Sequence, residues 1–258
     1  MKNVALITGA STGIGRELAI IHAKSQGDLV LVARRKHLLD SLADDLREKY
    51  KISILVKEMD LAKIESGTRL AEELIKENIH IQYLFNNAGF GGYGEFIERN
   101  ISQDLSMIQL NVCCLVELTH AIAKQMTQNG GGMILNTAST AGFIPGPLQA
   151  TYFATKAFVV SFSQALDQEL RKKGVTVTAL CPGPVQTEFI DVAGMSKSKL
   201  FEGAKTASYT AKKGYNAMLK KKLICISDPP FYFLINYLMW LVPRRTILRI
   251  IEKLQRIN

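Results

Sequence analysis

Short runs of consecutive apolar residues alternate along this chain with longer segments in which apolar positions recur every three or four residues. The runs fall at residues 4–7, 29–33, 52–56, 81–85, 133–138, 175–180 and 223–226, and each predicts a buried strand. Helical spacing over 14–23, 37–50, a stretch opening near 64, and 101–126 predicts the helices between them. Strands and helices in alternation imply one α/β domain. Its predicted core is a doubly wound parallel sheet of about seven strands, with helices on both faces and right-handed crossovers.

The turns between these elements carry the first chemical signal. Thr8-Gly9-Ala10-Ser11-Thr12-Gly13-Ile14-Gly15 lies between the first strand and the first helix. Glycines there let the backbone approach a pyrophosphate, which the N–H groups of a helix N-terminus then hold. Gly89-Phe90-Gly91-Gly92-Tyr93-Gly94 also matches G-x-G-x-x-G and follows an apolar run. No helical pattern opens directly after it, so it reads as a mobile loop near the site.

At the end of the second strand, the acidic residue that usually binds a ribose 2′-hydroxyl is replaced by Ala33-Arg34-Arg35. Two arginines suit a 2′-phosphate and favour NADP over NAD, the other reading being two arginines facing solvent at a helix start. After the third strand, Asp60, followed by Leu61, either caps the next helix or faces an adenine. Asn111 sits in the apolar middle of 101–126, a poor place for asparagine unless its amide is satisfied or used.

Tyr152 and Lys156 are four residues apart, so on a helix they share one face. A nearby cation favours phenolate and should pull the tyrosine below its reference pKa of about 10. The spacing is not unique, because Tyr209 and Lys213 repeat it. Ser139 and Ser196 even stand at equal distances upstream of the two tyrosines. Context separates the sets. Ser139 follows the fifth strand, and ligands bind at the carboxyl ends of parallel strands, whereas no strand precedes Ser196. Ser139, Tyr152 and Lys156 are therefore the candidate set, and Tyr209 with Lys213 reads as a solvated helix face. After the sixth strand, Pro182-Gly183-Pro184 predicts a rigid turn at the same edge.

Composition narrows the picture without redirecting it. The chain has 258 residues and 47% hydrophobic content, enough for one domain with a sizeable core. Cys113, Cys114, Cys181 and Cys225 form no C-x-x-C pair and lie in apolar runs, which predicts buried thiols in a reducing compartment and no metal site. The N-terminal apolar run is too short for a signal-peptide core, and a cytoplasmic location is expected. Of the net charge of +9, the ten basic residues from Lys212 onward, set against Asp228 and Glu252, supply +8. A basic tail on a nearly neutral body points to an anionic partner for the tail and away from a nucleic-acid-binding body.

That tail begins after Asp228-Pro229-Pro230, giving a division into a catalytic body at 1–228 and an apolar, basic helical extension at 229–258 packed on or next to it. The apolar stretch 231–242 is shorter than the roughly 17–25 residues of a spanning helix. Beyond Pro243, Ile247, Leu248, Ile250, Ile251 and Leu254 form an apolar stripe with arginines and lysines interleaved. Such a helix can lie on an anionic membrane surface, making the protein membrane-associated. Equally, it can pack on the body, cover the substrate cleft or join a partner subunit.

Taken together, Thr8-Gly9-x-x-x-Gly13-x-Gly15, Asp60, Asn86-Asn87-Ala88-Gly89, Asn111, Ser139, Tyr152-x-x-x-Lys156 and Pro182-Gly183 resemble the short-chain dehydrogenase/reductase family in order and spacing. The resemblance covers nearly the whole chain to about Ile226. It implies a Rossmann-type fold with strand order 3-2-1-4-5-6-7, an NADP(H) cofactor, and assembly as a homodimer or homotetramer. By the same resemblance Tyr152 is the general acid in carbonyl reduction and Ser139 hydrogen-bonds the substrate oxygen. Lys156 holds the nicotinamide ribose and lowers the tyrosine pKa, and Asn111 supports a water that relays protons to Lys156. Gly9, Ser11, Thr12, Gly13, Ile14, Gly15, Arg34, Arg35, Asp60, Leu61, Asn87, Ala88, Gly89, Tyr152, Lys156, Pro182, Gly183, Val185 and Thr187 are the implied cofactor contacts. Thr12 departs from family members that carry a basic residue there, which leaves the two arginines as the 2′-phosphate candidates.

The expected activity is interconversion of a ketone and a secondary alcohol. Phe90, Phe143 and Pro147, with Ile144 and Pro145 beside them, lie in loops expected to line the cleft, so an apolar ketoacyl or steroid-like substrate is expected. A non-catalytic NADP-binding protein that docks through its tail is the competing reading, and an intact proton donor argues against it. Nucleic-acid binding lacks both stacking aromatics and a groove-entering element.

Overall fold

The computed structural model describes residues 1–195, 203–238 and 242–256. Seven parallel strands form the central sheet, in the order Ile54–Glu58, Leu29–Ala33, Val4–Thr8, Ile81–Asn86, Gly132–Thr137, Val175–Cys181 and Ile224–Ile226. In chain order the elements to Asn86 are β1 (Val4–Thr8), α1 (Gly13–Lys24), β2 (Leu29–Ala33), α2 (Lys36–Tyr50), β3 (Ile54–Glu58), α3 (Ser66–Lys76) and β4 (Ile81–Asn86). Then come α4 (Ile101–Ile108), a π-helical turn (Gln109–Cys114), α5 (Leu115–Gln128), β5 (Gly132–Thr137), α6 (Ala150–Leu170) and β6 (Val175–Cys181). The chain closes with a small parallel pair, β7 (Val185–Gln186) and β8 (Lys205–Thr206), around α7 (Phe189–Val192), followed by α8 (Ala207–Leu219), β9 (Ile224–Ile226), α9 (Pro229–Phe233) and α10 (Arg244–Gln255).

The continuous apolar runs follow from burial on both faces of the sheet. In β1, Ala5 and Ile7 enter the core shared with α1, α2 and α8, while Val4 and Leu6 enter the opposite core under α3 and α5. β2 repeats the alternation with Leu29 and Leu31 against Val30 and Val32. Ile101–Gln128 is long and apolar enough to cross a membrane. Here its α5 portion lies against the sheet, with Leu118, Ile122 and Met126 buried in that second core.

Some boundaries differ from the sequence reading. β3 starts two residues later than expected, and α3 opens at Ser66, preceded by Glu65 in a left-handed conformation (φ 59°). Asp60 therefore does not cap α3. Its carboxylate instead accepts from the Ala62 N–H at 3.1 Å in a local turn. Ser196 lies outside the described residues. Tyr209 and Lys213 are both exposed on α8, as a solvated face requires. Cys114 and Cys181 are buried thiols, and Cys113 and Cys225 are partly covered.

Candidate active site

The carboxyl ends of β1, β2, β4, β5 and β6 open into one cavity of about 590 Å³. Its floor begins at the glycine turn. Gly9 and Gly13 take positive φ values of 65° and 56°, which side chains disfavour. Gly15 has no room for a Cβ, which would run into the Gly9 carbonyl. The turn is tied to β4 by Thr8, whose hydroxyl accepts from the N–H groups of Asn87 and Ala88, both at 3.0 Å. The Asn87 amide donates back to the Thr8 carbonyl at 3.1 Å. Ser11, Thr12, Gly13, Ile14, Arg34, Arg35, Asp60 and Leu61 all line this half of the cavity, so a dinucleotide fits the residues present.

At the other half, Ser139 follows β5 in extended backbone (φ −170°). Its hydroxyl accepts from the Ala141 N–H at 3.1 Å and donates to the Pro182 carbonyl at 3.4 Å. The Thr140 N–H also donates to Pro182 at 2.8 Å, fixing the prolyl turn beside the serine. Tyr152 and Lys156 project from one face of α6, with the ammonium 5.8 Å from the ring centre. Lys156 donates to the Thr137 carbonyl at 2.7 Å, so the helix is pinned to the end of β5.

The electrostatics run against one expectation. Burial pushes the Tyr152 phenol up to about 12, and only a hydrogen bond with Ser139 opposes it. Lys156 moves the other way, down to about 8, again through burial. Desolvation of the charged form is the larger effect on both groups.

Asn111 answers the question its position raised. Its side-chain oxygen accepts from the Phe90 N–H at 3.2 Å, and its amide donates to the Phe90 carbonyl at 3.0 Å and to Thr155 Oγ1 at 3.1 Å. It sits in the π-helical turn, a distortion frequent at functional sites. The amide thus ties the loop after β4 to α6 at Thr155, between Tyr152 and Lys156. That loop, expected to be mobile, is also gripped further along. Arg99 donates to the Tyr93 carbonyl at 2.9 Å and pairs with buried Asp104 at 2.6 Å.

The apolar walls were only partly foreseen. Phe90 and Ile144 line the cavity, but Phe143 and Pro147 do not. Phe143 packs into the core around Leu115, Val159 and Val160, because the 3-10 turn at Thr140–Phe143 turns it inward. In their place stand Phe153, Phe189, Met195, Phe231, Leu234 and Ile251. Tyr152 and Phe189 lie 5.4 Å apart between ring centres. Helix α10 adds Ile250, Leu254 and Gln255, and the Gln149 amide donates to Gln255 at 2.9 Å in a buried contact. Of these residues, Ile250, Ile251 and Leu254 carried a sequence signal, the apolar stripe, which left cleft covering open as one of its roles.

Comparison with known proteins gives concordant matches. The model of the family described as short chain dehydrogenase matches residues 3–197. A very-long-chain 3-oxoacyl-CoA reductase of Laccaria bicolor is 34% identical over 178 residues, 68% of this chain and 53% of that protein. The match therefore spans about half the length of that relative. An NADP-dependent 3-hydroxy acid dehydrogenase of Schizosaccharomyces pombe is 35% identical over 189 residues, 71% of this chain and 72% of that protein. Among solved structures, a short-chain dehydrogenase from Sphingobium yanoikuyae in complex with NADPH superposes with a TM-score of 0.83 at 31% identity, covering 95% of this chain and 94% of that one.

Proposed function

The chain belongs to the short-chain dehydrogenase family, and from that premise we propose that it is an NADPH-dependent oxidoreductase interconverting a ketone and a secondary alcohol on an apolar substrate. The observation that carries this reading is the convergence of Ser139, Tyr152 and Lys156 on a cavity that continues to the glycine turn and the two arginines after β2.

The N–H groups at the start of α1 would hold the pyrophosphate of the dinucleotide, Arg34 and Arg35 its 2′-phosphate, and Val185 with Thr187 its carboxamide. The bound cofactor supplies the hydride. As the substrate carbonyl is reduced, negative charge grows on its oxygen, where the hydroxyls of Ser139 and Tyr152 meet it. Tyr152 then delivers the proton, and its raised pKa keeps it protonated for that step near neutral pH. Lys156, held by the Thr137 carbonyl, fixes the cationic side of the site.

An apolar 3-oxoacyl compound suits the walls formed by Ile144, Phe153, Phe189, Met195, Leu234 and Ile251. The activities named for the Laccaria and Schizosaccharomyces relatives support that choice. Ile250, Ile251 and Leu254 in the cavity wall favour cleft covering among the roles open to the C-terminal stripe. The test is a panel of ketones and 3-oxoacyl thioesters followed by NADPH absorbance. Turnover that favours 3-oxoacyl substrates supports the reading, and NADPH binding without turnover on any member would instead favour a non-catalytic binder.

A further inference from the structure

Glu188 carried no signal in the sequence reading, yet it reaches across the dinucleotide half of the cavity. Its carboxylate accepts from Arg35 Nη2 at 2.6 Å and from Thr12 Oγ1 at 3.2 Å. The same Arg35 nitrogen also lies within reach of Thr12 Oγ1 at 3.2 Å and Ser11 Oγ at 3.4 Å. One carboxylate therefore sits on two of the side-chain donors, Thr12 and Arg35, that the glycine turn and the end of β2 offer an anion. The segment that brings it there touches the turn elsewhere too, since a Cβ on Gly13 would stand 3.0 Å from the Thr187 methyl.

Stability does not account for the contact. The Arg35 and Glu188 side chains are 43% and 52% exposed, and ion pairs in that setting contribute little to folding. The neighbouring guanidinium does hold the Glu188 carboxyl below its ordinary pKa, so the group is an anion at neutral pH.

We propose that Glu188 is a specificity-determining residue for the cofactor: its carboxylate competes with the 2′-phosphate of NADP(H) for Arg35 and so limits the preference for the phosphorylated dinucleotide. The proposal rests on the reading of this cavity as an NADPH site. A phosphate and a carboxylate repel each other when they share one guanidinium, so a 2′-phosphate at Arg35 must displace Glu188 or bind beside an unfavourable charge. A 2′-hydroxyl carries no charge and makes no such demand. The pyrophosphate, common to both dinucleotides, feels Glu188 equally in either case, which leaves the difference between them as the signature.

The experiment titrates NADPH and NADH into the full-length chain by fluorescence, comparing wild type, Glu188→Gln, Arg35→Met and the double variant. Glu188→Gln keeps the shape of the side chain and removes its charge. The expected result is about fivefold tighter NADPH binding with NADH changed by less than about twofold, and no NADPH gain in the Arg35→Met background. Weaker NADPH binding, an equal change for both dinucleotides, or a gain that persists without Arg35 would overturn the proposal while leaving the NADPH reading in place. Wild-type protein that binds neither dinucleotide would overturn both.

Discussion

Lys156 Nζ donates at 2.7 Å to the carbonyl oxygen of Thr137, the last residue of β5, while standing 5.8 Å from the centre of the Tyr152 ring. The ammonium is thus fixed to the sheet edge beside the tyrosine. Both groups are buried, and burial sets their acidities in opposite directions, the phenol up to about 12 and the amine down to about 8.

A pH profile in both directions follows. With Tyr152 as the proposed proton donor for reduction, its raised pKa keeps it protonated well into the alkaline range. Reduction is expected to be level from about pH 6 to 8 and to fall above that as Lys156 loses its charge. Oxidation of the alcohol needs the phenolate and is expected to climb through the same alkaline range. Measured kcat/KM for reduction that rises above pH 8 would contradict the assignment.

Lys156 also links stability to pH in the cofactor-free protein. Its folded pKa of about 8 lies below its ordinary value of 10.5, so between those values the unfolded chain holds the extra proton. The destabilisation is fully present below pH 8 and is relieved as pH rises toward 10.5, by roughly 3 kcal/mol in total. Urea unfolding of wild type and Lys156→Met at a series of pH values isolates it, because other titrating groups cancel in the difference. Wild type should gain on the variant as pH rises, and a constant gap would count against the buried amine.

Asn111→Leu should destabilise the fold by about 2 kcal/mol, since it leaves the Phe90 backbone groups and Thr155 without their partner. The variant should also raise KM, because the loop after β4 loses its tie to α6. Denaturation combined with steady-state kinetics checks both. A fully stable variant with unchanged KM would show that the amide does not hold the loop.

Ile251→Trp narrows the cavity from the α10 side. Activity on bulky apolar ketones is expected to drop at least about tenfold, with small ketones much less affected. Equal losses for both would place Ile251 away from the substrate.

The residues that could be read from the sequence are those whose role shows in local pattern. Apolar runs such as 29–33 encode strands buried on both faces, and Ser139 stood out because a strand end precedes it. What stayed hidden depends on contacts between distant segments. Nothing near Gln255 reveals that it meets Gln149 across 106 positions, and nothing near Glu188 reveals Arg35. Phe143 shows the converse error: its loop was placed correctly, but one 3-10 turn directs the ring into the core. The expected lowering of the Tyr152 pKa fails for a related reason, because proximity to a cation can be read from spacing whereas burial of the phenol cannot.

If Tyr152 supplies the proton while other groups hold the cofactor, Tyr152→Phe separates the two roles. The variant keeps the ring and its contact with Phe189 and loses only the hydroxyl. On the best substrate of the panel, turnover is expected to fall roughly 10²–10⁴-fold, with the NADPH dissociation constant unchanged within about twofold. Retained turnover, or a loss explained by failure to bind NADPH, would contradict the account.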